Sequence, residues 1–395
     1  DTGPRYYIGE VHFHQDFLDP QLLERTVQLE HGAPYDTAAV LAFQQSLQIT
    51  DWASVVTVAP DFDAAVDGLV PLHVTMEPNK RNRYSLGLGY ETDVGVRVSA
   101  RWVQRRINSA GHHAEAYMRL SPVQSVVRGA YYIPVRQPVT DRFAGSAEYE
   151  HEETSDTRRD TLNGKLGFVR RSIDDRSFYK AFVELRSEEY EVRGDPTVRT
   201  DLLSLGFAQR FTELAQVAFP QRGHYFEYEL RGASSEIFSD TSYARLHVTG
   251  KTLLPLGTNG RFRLVGEFGF AEVEDFDLYP TSLRFFAGGD SSIRGYDFKS
   301  LGPEDDNGNV VGGENLAIVS AEYNHRIAEQ WVLAAFVDAG NAYNDKLDDI
   351  NVGTGFGFRW VQDFGSLRID LAWPVSDDDV ELGDVMLHLG FGAAL

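Results

Sequence analysis

A single cation inside a glycine-rich run is the residue whose surroundings most clearly ask for a partner. In "FFAGGDSSIRGYDFKSLGP", residues 285–303, Arg294 lies between Ile293 and Gly295, and Tyr296 follows. The turn formers make this run a loop. An arginine taken out of water needs a hydrogen-bonded carboxylate, which its planar fork suits. From the loop alone, an exposed turn with a solvated arginine accounts for the residues better, and only the motifs around it favour the anchored arginine. "GDSS" at 289–292 echoes a hydrolase nucleophile block, but no positioned His–Asp partner accompanies it. His224, His247, His325 and His388 fall in alternating segments, where a lone histidine reads as an inward polar residue rather than a base. "EDDNGN" at 304–309 is acidic enough for calcium, but its spacing departs from the EF-hand order, so a solvated turn is expected. No P-loop is present. The residues therefore point away from an enzyme, a cofactor or a metal.

The composition narrows the class of partner. The chain has 395 residues and a formal net charge of −22, which argues against nucleic acid. It has no cysteine, which excludes a disulfide framework and a thiolate metal site. Aromatic residues are abundant, with 18 Tyr and 25 Phe. No apolar run reaches the roughly 18 residues of a membrane-spanning helix. The opening "DTGPRYYIGEV" lacks a charged then apolar leader, so the chain reads as mature or trimmed.

Two regimes must position these residues. Residues 1–79 mix periods. "YYIGEVHFH" alternates around Tyr7, Gly9, Val11 and Phe13 as a strand. "DPQLLERTVQL" has Asp19 as cap, Pro20 in the first turn, and an apolar stripe of Leu22, Leu23, Val27 and Leu29. "YDTAAVLAFQQSLQI" is a second helix, capped by Asp36, with Val40, Leu41, Phe43, Leu47 and Ile49 inward. Two strands follow, "SVVTVAP" and "LVPLHVTMEP". The expectation is a small α+β module.

From residue 80 to 395 the helical period disappears. In "SLRIDLAWP", Leu367, Ile369, Leu371 and Trp373 share one face, and Arg368, Asp370 and Ala372 the other. "VMLHLGFGA" and "GTGFGFRWV" repeat this pattern. Long polar connections such as "EETSDTRRD" alternate with short ones such as "SIDDR". That alternation predicts a transmembrane barrel of about sixteen antiparallel strands, with its apolar face in lipid and its polar face in the lumen. A soluble all-β protein is the competing architecture.

Four motifs in order then resemble one family. "FPQRGHYFEYELRGA" at 219–233, "IRGYD" at 293–297, "FVDAGNAY" at 336–343 and "GTGFGFRWVQDFGSLRIDLAWPV" at 353–375 resemble the BamA, TamA and two-partner-secretion transporter superfamily. The hairpin departs from the usual Ser-Pro turn, with Val361-Gln362-Asp363-Phe364 in its place. Residues 1–79 look like a POTRA domain, and members carry several. The ending "LHLGFGAAL" resembles the TamA branch more than BamA.

The resemblance implies a function and a site. The long loop would fold into the lumen with Arg294, Gly295 and Tyr296 at its anchor. Asp338, Asp370 and Arg359 would receive it on the wall. The first and last strands would meet at a seam weakened by Gly87 and Gly89 on one side and Gly390 and Gly392 on the other. Glycines that only make room in the lumen are the alternative. The implied protein sits in the outer membrane of a Gram-negative bacterium with POTRA in the periplasm. It would insert unfolded outer-membrane or autotransporter clients through that seam and meet a periplasm-spanning or inner-membrane partner through POTRA. A two-partner secretion pore is the runner-up, and a passive porin or barrel lipase is the reading from another class.

Overall fold

The computed structural model describes residues 5–214, 219–347, 349–362, 365–376 and 385–393. At the N-terminus, β1 (Tyr7–His14), α1 (Pro20–Glu24), α2 (Thr37–Gln48), β2 (Ala53–Pro60) and β3 (Leu69–Pro78) build a three-stranded sheet of order β1-β3-β2 under two helices. β1 runs parallel to β3, and β2 antiparallel to it. Asp36 accepts from Ala38 N and caps α2. Its inward stripe is Val40, Phe43 and Leu47, a 3–4 spacing, packed on Leu72, Val74 and Met76.

Four local expectations are corrected. α1 stops at Glu24, because the Thr26 hydroxyl turns back to Leu23 O and closes the turn. Val27 and Leu29 pack on the core from beyond the helix. Asp19 makes no side-chain cap bond. Leu41 and Ile49 lie off the α2 stripe and are exposed. In β1 the register shifts between Ile8 and Val11, so the buried phase starts at Ile8 rather than Tyr7.

Sixteen strands among the described residues close into one antiparallel barrel. The first eight are β4 (Asn82–Glu91), β5 (Gly95–Gln104), β6 (His113–Leu120), β7 (Gln124–Pro134), β8 (Asp141–Glu153), β9 (Thr157–Arg171), β10 (Ser177–Val192) and β11 (Val198–Thr212). The rest are β12 (Gly223–Ala233), β13 (Tyr243–Leu256), β14 (Gly260–Val273), β15 (Asn315–Ala328), β16 (Trp331–Tyr343), β17 (Asn351–Gln362), β18 (Gly365–Pro374) and β19 (Met386–Ala393). Each strand pairs with its sequence neighbours, and β19 returns to β4.

The faces are inverted relative to a soluble protein. Leu86, Leu205 and Phe356 are 81%, 67% and 67% exposed, whereas Glu184, Asp338 and Asp370 are 0% exposed. Carboxylates face inward and large apolar groups outward, which a lipid surround requires and water would penalise. The N-terminal sheet meets the barrel at the β5–β6 turn. There Asp19 N–H donates to Ser109 O, Arg105 pairs with Asp51, and Arg106 lies over Phe17. The turn at Asp363–Phe364 lies outside the described residues.

Candidate functional site: the lumen loop and the seam

The connection between β14 and β15, residues 274–314, folds into the lumen. Its own apolar residues Leu283, Phe285, Ala287 and Ile293 are buried, with Tyr279 at 0% exposure. The base is knitted by Arg284, which donates to Tyr279 O, Phe276 O and Val311 O and to the Tyr190 hydroxyl of β10. On that wall Glu188 accepts from the Thr281 hydroxyl and Ser282 N–H. Lys299 pairs with Glu152 of β8.

Arg294 reaches the opposite wall. Its Nε and Nη2 donate to the two oxygens of Asp338 at 2.7 and 2.9 Å, a bidentate fork. Its Nη1 donates to Glu322 at 2.7 Å and to Asp370 at 3.4 Å, and its backbone N–H to Asp338 at 3.2 Å. The guanidinium lies 3.4 Å from the centre of the Phe336 ring. Arg359 completes the cluster, donating to Asp370 and to Glu322. The Ser320 hydroxyl donates to Asp338 at 2.6 Å. Burial opposes the charge on Arg294. The Asp338 hydrogen bond and the surrounding carboxylates outweigh it and hold the arginine pKa above its ordinary value.

Small residues make the approach possible. A Cβ at Gly353 would lie 1.8 Å from the Arg294 carbonyl, and one at Gly357 would lie 2.0 Å from Asp370 Oδ1. Gly295 has φ +99°, and its Cβ would meet the Trp373–Pro374 backbone at 3.0 Å. The Tyr296 hydroxyl bonds the Ser376 hydroxyl at 2.6 Å.

The seam differs from every other ladder. Among the described residues, β19 and β4 share three residue pairs, Gly390–Glu91, Phe391–Tyr90 and Gly392–Gly89, and just beyond them Thr92 N–H donates to Leu389 O and Leu389 N–H to the Thr92 hydroxyl. On its other side β4 is paired along its whole length, from Asn82–Gln104 to Glu91–Gly95. Among the described residues, Asn82–Leu88 have no partner across the seam. Gly89 brings the strands close, since a Cβ there would lie 3.0 Å from Phe391 O. Gly87 pairs with Ser99 of β5 and has no described partner on β19.

The family description "Omp85 superfamily domain" matches residues 79–394. The chain belongs to the Omp85 superfamily. Its curated relatives include an "Outer membrane protein assembly factor BamA" from Nitratidesulfovibrio vulgaris, 23% identical over 78% of this chain and 41% of that protein. A BamA from Neisseria meningitidis serogroup B is 22% identical over 93% of this chain and 50% of its own length. The chain thus spans about half the length of these relatives or less. In fold it resembles the crystal structure of Haemophilus ducreyi BamA lacking POTRA domains 1–3, with a TM-score of 0.81 at 17% identity, covering 100% of this chain and 85% of that one. It also resembles CdiB from Acinetobacter baumannii, with a TM-score of 0.63 at 12% identity, covering 98% and 74%.

Sequence reasoning brought Arg294, Asp338, Asp370 and Arg359 to one cluster of this Omp85 barrel but missed Glu322, Lys299, Arg284 and Asp290. Glu322 sits two strand positions from Ser320 on the same inward face, a period-2 signal that could have found it. His388, read as a lone polar residue, is bonded to the loop, because Gly295 N–H donates to its Nε2 at 3.0 Å.

Proposed function

We propose that this chain is an outer-membrane insertase that passes unfolded β-barrel clients into the membrane through the β4–β19 seam, with its lumen plugged by the Arg294 loop. The seam, with three ladder pairs among the described residues, carries this reading. A barrel interface so short parts at low cost and bares strand edges, and bare edges template new strands. Client folding and transfer into lipid supply the driving force, so neither an enzyme activity nor a cofactor is needed. Residues 1–79 act as a periplasmic POTRA domain and 80–395 as the barrel. The fold likeness, over the whole of this chain, to a BamA lacking POTRA domains 1–3 supports this division. The assignment to the TamA branch, with autotransporter clients and an inner-membrane or periplasm-spanning partner, rests on "LHLGFGAAL".

The test is a lock across the seam. Glu91 and Gly390 stand directly opposite, within disulfide reach for paired strands, and the chain has no other cysteine. A Cβ at Gly390 meets only the Arg368 side chain, no closer than 3.4 Å. In proteoliposomes, oxidised Glu91→Cys/Gly390→Cys barrels should fail to insert clients, and reduction should restore insertion. A locked barrel that still delivers polypeptide would replace this reading with a two-partner secretion pore. A client panel of autotransporters against simple barrels separates the TamA branch from a broader assembly factor.

A further inference from the structure

The tip of the lumen loop touches both sides of the seam. Asp290 N–H donates to Asp93 Oδ2 at 2.6 Å, in the turn between β4 and β5. Five residues on, Gly295 N–H donates to His388 Nε2 on β19. The Asp290 carboxylate also abuts His388 Nδ1. Asp290 and His388 are 6% and 1% exposed. Gly289, with φ +104°, makes the turn that delivers Asp290, and a Cβ there would lie 2.5 Å from Asp93 Oδ2. We propose that Asp93, Asp290 and His388 are positioning residues of a clasp that holds the seam shut from inside the lumen, separate from the Arg294 anchor. The proposal rests on the seam being the client's route.

The chemistry of the clasp is protonic. Because Gly295 N–H donates to Nε2, that nitrogen carries no proton, and neutral His388 carries it on Nδ1, facing Asp290. Asp93, Asp290 and His388 could also be taken for a metal site, since their ligand atoms lie within 4.8 Å of one another. A metal on Nδ1 would move the proton to Nε2, where the Gly295 bond forbids it. Asp93 is faced by Asp290 from the loop, His388 from β19 and Arg368 from β18. Arg368 stands between the two anchors, 3.8 Å from Asp290 and 3.6 Å from Asp370. On its own hairpin, Arg97 pairs with Glu91.

Burial, and then the Asp290 charge, push the Asp93 carboxyl up from 3.8 to about 6. An open clasp returns Asp93 to water and to its lower value. Through Asp93, the clasped state therefore takes up a proton that the open state does not, and this carboxyl's contribution to closure grows as pH falls from about 6 to about 4.

The experiment measures the seam without clients. Spin labels at Val98→Cys and Leu371→Cys point outward from β5 and β18, the strands flanking the seam. Distances across them are read in lipid nanodiscs with the full chain. Asp93→Ala and His388→Ala should raise the open-to-closed ratio about tenfold, equal to about 1.4 kcal/mol. Asp93→Asn keeps an acceptor and removes the repulsion, so it should lower the ratio at pH 7 and match the wild type at pH 5. His388→Gln, which can still accept from Gly295, should restore part of the closure that alanine loses. Asp93 lies in a half-buried turn, so its variants keep the barrel. Equal distances in Asp93→Ala and Asp93→Asn would overturn the clasp. So would closure driven by zinc in the wild type and absent in Asp290→Ala. Insertion measured in parallel separates the two readings. Distances that respond while insertion does not would leave the clasp and remove the seam as the client's route.

Discussion

Replacing Arg294 by alanine should release the lumen loop without opening the barrel wall. Three charge-assisted contacts under 3 Å disappear, two to Asp338 and one to Glu322, together with the stack on Phe336. Asp338, Glu322 and Asp370 stay buried, at 0%, 5% and 0% exposure; Arg359 still pairs with Glu322 and Asp370, and Arg368 with Asp370, but Asp338 keeps only the Ser320 hydroxyl as a side-chain donor in the cluster. Breaking one side of a buried ion pair costs about 3–5 kcal/mol. At about 1.4 kcal/mol per decade, opening of the loop should become roughly 10²- to 4 × 10³-fold more frequent. Hydrogen exchange of the amides from Gly288 to Gly295 reads this directly, since the strands keep their own ladders. Arg294→Lys keeps the charge but loses the fork and the stack, and should fall between the two. Protection within threefold of wild type in Arg294→Ala would refute the reasoning, because the arginine would then be tethering nothing.

Further substitutions separate sterics from charge. Ser320→Ala removes one donor to Asp338 and should cost about 1 kcal/mol of loop protection, seen as a several-fold rise in exchange. Gly353→Ala alters no charge, yet its Cβ has no room beside the Arg294 carbonyl. It should displace the loop as Arg294→Ala does, measured by protease cleavage at Lys299. Gly111→Ala places a Cβ 2.8 Å from Trp52 and 2.9 Å from Leu22 at a residue with φ +74°. Cleavage near Asn79–Arg81 should rise as the N-terminal module loosens. Asp51→Ala removes a part-exposed ion pair and the hydrogen bond from Asn79 Nδ2, together about 1–2 kcal/mol, and should raise that cleavage less than Gly111→Ala does.

Much of this architecture was legible in the chain because the period of two is strict. Leu371 faces outward and Asp370 inward, as the alternation in "SLRIDLAWP" requires. The same alternation placed Asp338 inward. What alternation cannot supply is the partner in three dimensions. Glu322, Lys299 and Asp290 each meet their partner through a loop that crosses the lumen, and no local pattern encodes a crossing. His388 is the inward polar residue that alternation implies, yet a single inward histidine carries no sign of the amide that will reach it. Gly87 illustrates the reverse. Its type suggested a seam, but register decides pairing, and register places Gly89 and Glu91 opposite the last strand. The helical corrections have a simpler origin. A side-chain hydroxyl at Thr26 ended α1, where the apolar stripe alone ran on to Leu29.

The contacts of the lumen loop also differ in how far apart they lie along the chain. Arg294 finds Glu322, Asp338 and Asp370 at separations of 28, 44 and 76 residues. Gly295 meets His388 across 93 residues, and Asp290 meets Asp93 across 197. Closing a longer loop costs more chain entropy, and such contacts form later. During its own biogenesis the C-terminal half can therefore seat the arginine while the first hairpin is still elsewhere. The Asp93 bond can form only when the two ends of the sheet arrive together. One loop thus carries an early contact that organises its own half and a late one that registers completion.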